Sequence, residues 1–326
     1  MLKPLQKLIL RPEFGPFVLV IGELVVFTVL SSGQYLSTFN LGNLLAFVPE
    51  LGMIALAMTL LMIAGEFDLS VGSVFGFAPV LMWTLFNEGV TSLELGFFLA
   101  ILAAVFIGLF NGWFVTQLKI PSFLVTLGML LVVRGSALYV TSGFPQRTWQ
   151  AESFLMELIV GDFRIGNLRI YASLIWFTIF AVILGYVLSQ TKFGNWIQAS
   201  GGNAYAATAR GVNVARTKIS LFVLTSVMSA YAGVTSSIRV SAANPNSGTG
   251  YELEIIAMVV IGGTALMGGR GTIFGTVLGV FILRLMRNGI NFTNVPALAY
   301  NIFIGAIILG MMAIHSSLER RHNLRA

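Results

Sequence analysis

Apolar stretches of about 20 residues recur along this chain from end to end, and short polar segments separate them. A helix of that length is about 30 Å long, which matches the hydrocarbon thickness of a bilayer. Only 10% of the 326 residues are charged, whereas a soluble domain carries roughly a quarter. The sequence therefore predicts an all-α fold, a polytopic transmembrane helical bundle, with residues 1–326 in a single transmembrane domain.

Ten candidate spans place both chain ends on the same side of the membrane. Basic residues begin and end the chain, and the segment from Gln190 to Lys218 carries four cations and no acid. Because short cytoplasmic loops are enriched in Lys and Arg, we predict that this segment and both short terminal tails are cytoplasmic. The mixed-charge segment 142–169 then lies outside. The candidate spans are 16–32, 44–64, 71–87, 95–117, 121–141, 170–189, 218–238, 253–268, 272–289 and 297–315.

Several function classes are excluded by composition. The net charge of +6 comes from basic residues in loops and tails, so we expect no nucleic-acid partner and instead expect a lipid bilayer. The absence of cysteine removes thiol catalysis and thiolate metal sites. The two histidines, His315 and His322, both lie near the C-terminal end, so no two-histidine metal site is expected in the bundle. We predict no catalytic residue, no metal and no cofactor bound by this chain.

The segment GEFDLSVGS, residues 65–73, places two carboxylates between apolar runs. Asp68 and Ser70 are favoured N-cap residues, which can accept backbone N–H groups of a helix that starts near Val71. One interpretation is a capped turn at the membrane surface. The other is a broken helix inside the bundle, where Glu66 and Asp68 lie beside a solvated path. The residues alone leave both interpretations open.

Glycines in the segment 261–279 are spaced for close helix packing. Gly271, Gly275 and Gly279 are four residues apart and would share one helix face, which lets a second backbone approach closely in lipid. The Lys-Ser/Thr ending of a phosphate-binding loop is missing, so nucleotide binding is not expected here. An earlier span repeats the four-residue spacing with small residues, Ser229, Gly233 and Ser237.

The polar segment from Thr191 to Lys218 is too hydrophilic to cross the membrane. Gly201, Gly202 and Asn203 interrupt it before a short alanine-rich stretch, AYAATARG, that predicts a helix. Such a helix presents a ridge of small side chains that suits a partner's groove. An amphipathic helix resting on anionic lipid is the alternative, and the residues do not decide between the two.

An internal similarity joins the two halves of the chain. VGSVFG, residues 71–76, resembles RGTIFG, residues 270–275, and transporters often contain such repeats. The charge count places both turns on one side of the membrane. Either the similarity is accidental, or a segment near 44–70 is re-entrant.

Three segments in this order resemble one family. GEFDLSVGS, ASGGNAYAATARGVNV and GTGYELEIIAMVVIGGTALMGGRGTIFGTVLG are similar to the inner-membrane permeases of bacterial sugar ABC importers. This is the ribose, xylose and autoinducer-2 group, which is related to branched-chain amino-acid permeases. The likeness covers roughly 45 to 315. It implies a type II importer-like permease that is not itself an enzyme and that moves a small polar solute, a monosaccharide, across the bacterial inner membrane.

The resemblance also implies partners and residue roles. Cytoplasmic ATP-binding subunits would use ATP, a second permease copy or paralogue would complete the path, and a periplasmic binding protein would deliver the solute. Glu66 and Ala204 depart from the family pattern, which commonly has an uncharged residue and an acid there. Gly250, Tyr251 and Glu252 match its entry to the next helix. The helix break near the translocation path is Glu66, Asp68, Ser70, Gly72 and Ser73. The ATPase-coupling residues are Gly201, Gly202, Asn203, Ala206, Ala207 and Gly211.

An ion- or proton-coupled secondary transporter is the alternative function. It would depend on the carboxylates of Glu66 and Asp68 rather than on an ATPase partner. The other charged residues within apolar stretches, Glu23, Glu50 and Arg134, are expected to pair across helices or to reach towards the interface.

Overall fold

The computed structural model of the protein describes residues 13–148, 153–293, 296, 299–300, 302–306 and 309–310. The described chain is mainly helical, as the sequence predicts, with two small antiparallel sheets that it does not predict. The helices are α1 (Phe14–Leu30), α2 (Thr38–Ile63), α3 (Val71–Asn87), α4 (Leu93–Gln117), α5 (Ser122–Thr141), α6 (Phe154–Val160), α7 (Ala172–Gln190), α8 (Lys192–Gly202), α9 (Ala204–Ala209), α10 (Val214–Val240), α11 (Tyr251–Ile261) and α12 (Ile273–Ile290). The strands are β1 (Gln146–Arg147), β2 (Asp162–Ile165), β3 (Leu168–Tyr171) and β4 (Ala242–Ala243), with a 3₁₀ turn at Gln34–Leu36.

Polar caps fix where many of these helices begin. A side-chain oxygen accepts a backbone N–H two or three residues ahead at the start of seven helices. These bonds satisfy donors that have no partner within the helix. The capping residues are Ser37, Ser92, Ser153, Thr191, Asn203, Asn213 and Thr272.

Helix α2 forms the centre of the bundle. Its 26 residues correspond to about 39 Å at 1.5 Å per residue, which is long enough to cross a bilayer. It packs against α7, α10, α11 and α12, and nearly all of its residues from Val48 onward are buried. Helices α4, α5 and α7 lie outside this core with exposed apolar side chains, as expected for helices that face lipid.

Within the described residues, six helices are long and apolar enough to cross a membrane: α2, α4, α5, α7, α10 and α12. The apolar helices α1 and α3 have 17 residues each. The prediction of a span at 253–268 is wrong, because α11 has 11 residues and turns follow it. The predicted span 297–315 lies largely outside the described residues. The protein is thus a multi-pass membrane protein, and the number of ten spans is not confirmed.

The bundle has two distinguishable ends. At one, which we call the basic end, the C-terminal end of α2 meets the segment 191–213 and the turn 262–272. The backbone N–H of Gly269 donates to the carbonyl of Ile63 there, at 2.8 Å. At the other, the hairpin end, strands β2 and β3 pair, and a Cβ on Gly42 of α2 would lie 3.3 Å from the Arg169 carbonyl oxygen.

The two similar turns therefore lie at the same end, as the charge count predicts. Gly65 and Gly268 are in backbone contact there. Because α2 runs from the hairpin end to the basic end as one helix, the re-entrant alternative for 44–70 is wrong. Helix pairs α2–α3 and α11–α12 are each joined by such a turn.

Glycines allow the close helix packing that the spacing predicts, with one correction. A Cβ on Gly275 would overlap the carbonyl of Gly262, and one on Gly279 would overlap the carbonyl of Met258. Gly271 lies before α12 and contacts Thr264 instead, so it is not on the shared helix face. The earlier set also packs closely: Ser229 donates to the carbonyl of Val71, Gly233 lies against Phe75, and Ser237 accepts from Trp83.

We expect Gly275→Leu to lower the free energy of unfolding by on the order of 1–3 kcal/mol or more, since a larger side chain must displace backbone in a packed interior. The midpoint of thermal unfolding in detergent measures this. Gly128→Leu on α5 is the matched control, because nothing lies within 4 Å of a Cβ there. Equal stability of the two variants would contradict close packing at Gly275.

Candidate functional site

A buried polar cluster organises the turn between α2 and α3. The chain leaves α2 through Gly65, whose φ of +83° is the left-handed conformation that glycine adopts readily. Asp68 is fully buried, and its Oδ1 accepts the backbone N–H of Ser70 at 2.8 Å and the Ser70 hydroxyl at 2.6 Å. Asn111 of α4 donates to Asp68 Oδ2 at 3.3 Å and to Ser70 Oγ at 3.0 Å.

This geometry refines the predicted cap. Helix α3 begins at Val71 as expected, but Ser70 uses its hydroxyl on Asp68 and makes no side-chain cap. Ser73 is buried and donates to the carbonyl of Ser70 at 2.8 Å. The carboxylate is thus held by hydrogen bonds inside the protein, which fits a helix break in the bundle better than a turn on the membrane surface.

Glu66 is paired with a cation of another helix. Its Oε1 lies 2.6 Å from Nζ of Lys218 on α10, and both side chains are largely buried. The pair ties the turn after α2 to the start of α10. The sequence places both residues at the same membrane side, but it contains no signal that they meet.

Charge reversal tests this pair. We expect Glu66→Lys and Lys218→Glu each to lower the thermal midpoint, because each puts like charges together, and the double exchange to recover stability by about 0.5–3 kcal/mol of coupling. Glu88→Lys changes an exposed carboxylate and serves as the control. A double variant no more stable than the single ones would exclude the interaction.

Three close backbone contacts, each made by a glycine, lie at the basic end. A Cβ on Gly201 would overlap the carbonyl of Ile63, and Gly269 lies against Gly202. Gly268 in turn lies against Gly65. The segment that resembles a coupling loop therefore touches the helix break directly. The sequence marks the glycines in each segment, yet it does not show that the segments meet.

The coupling segment is built from two short helices rather than one. Helix α8 ends at Gly202, and Asn203 caps α9 by accepting the N–H of Ala206 at 2.9 Å. Ala206 is exposed, whereas Ala207 is buried. Of the two alanines that the resemblance assigns to ATPase coupling, only Ala206 therefore lies at the surface of this chain. Tyr205, which no sequence pattern marks as a contact residue, is 88% exposed.

Beside α9 lies an open cleft of about 720 Å³ at the basic end. Its walls come from the end of α4, the segment after α9 and the start of α10. Two lysines and one carboxylate leave it with a positive balance. The lining residues include Glu66, Thr116, Lys119, Thr208, Gly211 and Lys218.

Arg134 of α5 joins α3 to the segment between α10 and α11. It donates to the carbonyl of Gly72 at 3.0 Å, to that of Ser247 at 2.7 Å, and to that of Pro245. Gly72 itself lies in backbone contact with Gly248. The expectation that Arg134 pairs across helices is confirmed, although its partners are carbonyls rather than a carboxylate.

A second charged group lies inside the bundle. Glu50 of α2 pairs with Arg239 of α10, as expected for an interior carboxylate, and Arg239 also donates to the carbonyl of Ala46 at 2.7 Å. Arg284 is buried nearby, and its Nε and Nη2 atoms have no hydrogen-bond partner among the described residues. Oε2 of Glu23 also has no hydrogen-bond partner among the described residues.

Among the described residues, no group of three or more His, Cys, Asp or Glu side chains could hold a metal ion. His315 and His322 lie outside those residues.

Residues 40–312 match the family described as "Branched-chain amino acid transport system / permease component", and the chain belongs to that family of transporter permease subunits. It is 34% identical to the L-arabinose ABC transporter permease protein AraH of Azospirillum brasilense, over 93% of this chain and 87% of that protein. It is also 34% identical to the ribose import permease protein RbsC of Bacillus subtilis (strain 168), over 91% and 90%. The xylose transport system permease protein XylH of Escherichia coli (strain K12) is 32% identical, over 93% and 91%. No solved structure matches the chain.

Proposed function

We propose that this chain is the membrane-spanning permease subunit of a binding-protein-dependent ABC importer that moves a monosaccharide across the bacterial inner membrane. The observation that carries the proposal is the likeness over about nine-tenths of the chain to permeases named for arabinose, ribose and xylose. All three are five-carbon sugars, so a pentose is the first solute to test.

Two features of the basic end support placing the ATPase partners at that end of the bundle. Helix α9 presents the exposed Tyr205 and Ala206 beside the positively charged cleft. A short exposed helix next to a cleft suits insertion into a partner's groove. We assign cytoplasmic ATP-binding subunits to this end, a periplasmic binding protein to the hairpin end, and a second permease copy or paralogue to the lipid-facing sides. ATP hydrolysis then belongs to the partners.

The backbone contacts suggest how the coupling segment acts on the path. Gly201 rests on the last carbonyl of α2, and the turn that follows carries the buried Asp68 cluster. A displacement of α9 by a partner would therefore be passed to the helix break through Gly201 and Gly65. In this proposal Asp68 and Ser70 keep the start of α3 in place, while Gly72 permits close approach of the segment around Gly248.

The alternative of an ion-coupled secondary transporter gains no support from the carboxylates. Glu66 is paired with Lys218, and Asp68 accepts hydrogen bonds from Ser70 and Asn111. Neither carboxylate therefore presents an unpartnered oxygen pair to a passing ion.

Uptake into proteoliposomes tests the proposal. The chain is reconstituted with its ATPase and binding-protein partners, and entry of labelled arabinose, ribose and xylose is measured with and without ATP. We expect uptake of at least one pentose that requires both ATP and the binding protein. Uptake by the chain alone, driven by a proton gradient and lost in Glu66→Gln or Asp68→Asn, would establish the secondary transporter instead.

A further inference from the structure

The hairpin of β2 and β3 separates apolar from charged side chains onto opposite faces. In its antiparallel register, Phe163 pairs with Ile170 and Ile165 pairs with Leu168. Residues directly opposite each other in two paired strands share a face, so these four apolar residues form one face. The other face carries the alternate residues, Asp162, Arg164, Arg169 and Tyr171.

The described residues cover the apolar face only in part. Phe163 is 43% exposed and Ile165 is 62% exposed, while Leu168 and Ile170 are partly buried. An amphipathic element with one uncovered apolar face is typical of a segment that rests on a bilayer surface.

The position of the hairpin places that face at the edge of the membrane. Tyr171 at the end of β3 is the N-cap residue of α7, which is long and apolar enough to cross a membrane. The backbone of Arg169 lies against Gly42 near the start of α2, so the hairpin is held beside two membrane-spanning helices. Helix α7 also carries exposed apolar side chains, among them Ile175 and Ile179.

The charged face has a positive balance. Arg169 forms an ion pair with Asp162 at 2.6 Å and lies over the ring of Tyr171. The hydrogen bond from Arg169 holds the pKa of Asp162 below its usual range, so the carboxylate stays charged at neutral pH. Arg164 makes no hydrogen bond to the described residues, and it leaves one cation available for an anionic group.

We propose that the β2–β3 hairpin is an interfacial anchor, in which Phe163 and Ile165 enter the boundary between lipid chains and headgroups and Arg164 contacts a phospholipid phosphate. The occupant of this surface is the bilayer itself. When Phe163 and Ile165 leave water at the boundary between lipid chains and headgroups, the long side chain of Arg164 can reach a headgroup phosphate. The apolar area and the charge of the hairpin therefore both fit a phospholipid bilayer.

The absence of cysteine in the chain makes a direct test simple. Phe163→Cys, Ile165→Cys and Arg164→Cys are made singly, labelled with a nitroxide, and placed in vesicles of phosphatidylethanolamine and phosphatidylglycerol. Spin relaxation by oxygen, which concentrates in lipid, is compared with relaxation by a water-soluble nickel chelate. We expect labels at 163 and 165 to gain oxygen contact and lose nickel contact relative to the label at 164, which is the matched control on the opposite face.

The outcomes separate the bilayer from other partners. Equal nickel contact at all three positions would overturn the proposal. Nickel contact at 163 and 165 that disappears only when the periplasmic binding protein is added would also overturn it, since the face would then be a protein-docking surface. For Arg164, the label at 165 is expected to lie deeper in these anionic vesicles than in neutral phosphatidylcholine, and Arg164→Gln should remove the difference. If the label at 165 lies equally deep in the anionic and the neutral vesicles while Arg164 is present, phosphate binding by Arg164 is contradicted.

Discussion

Replacing Glu50 by glutamine is expected to lower the free energy of unfolding by about 3–5 kcal/mol, the range for removing one partner of a buried ion pair. The side chain keeps its size, so the loss comes from charge. Glu50 is the carboxylate that pairs with Arg239, whose guanidinium also lies 3.9 Å from the centre of the Phe47 ring. Without the Glu50 carboxylate, the cations of Arg239 and Arg284 remain buried together.

The thermal midpoint of the purified protein in detergent measures this loss. Asp162→Asn is the matched control, because it also removes a carboxylate that pairs with an arginine, Arg169, but at an exposed site. Exposed pairs contribute about 0–1 kcal/mol, so this variant should unfold close to the parent. If Glu50→Gln were as stable as the control, the ion pair would not be what holds α2 to α10.

The second large effect is expected on function rather than on stability. Ala206→Glu should abolish association with the ATPase partner, and with it ATP-driven uptake, because it adds bulk and charge to the exposed ridge of α9. Its thermal midpoint should match that of the parent, since Ala206 has no interior packing to disturb. Co-purification of the ATPase with the permease and uptake into proteoliposomes are the two measurements.

Two further variants define the site. Asn167→Glu adds the same charge to an exposed residue at the opposite end of the bundle, so it should bind the ATPase normally. Ala207→Glu should lower the thermal midpoint, because Ala207 is buried against the bundle. Normal ATPase association by Ala206→Glu would exclude α9 as the docking element.

The sequence predicts those features that follow from a local pattern. Helix starts follow from capping residues, and α3 begins at Val71 beside Asp68 as its sequence suggests. Loop charge predicts that the turns at Gly65 and Gly268 share one end, which their contact confirms. The resemblance to sugar-importer permeases is confirmed at the level of family.

The missed features depend on contacts between distant segments or on weak local signals. The apolar run 253–268 has the length of a span, but α11 ends at Ile261 because Gly262 and Gly263 stop the helix, with φ of +92° at Gly263. That glycine pair is a recognisable C-terminal signal. No pattern indicates that Arg134 binds three carbonyls, since backbone acceptors have no residue type to mark them.

The glycine contacts at the basic end have a mechanical consequence. Gly201 contacts the backbone of Ile63, and Gly268 contacts the backbone of Gly65. No side chain lies between the two segments at these points, so a change of rotamer cannot alter their spacing. A displacement of the segment 191–213 is therefore not absorbed by side-chain repacking and is transmitted to the helices that it contacts. Even Gly201→Ala would place a Cβ against the carbonyl of Ile63 and force the segment 191–213 away from the end of α2.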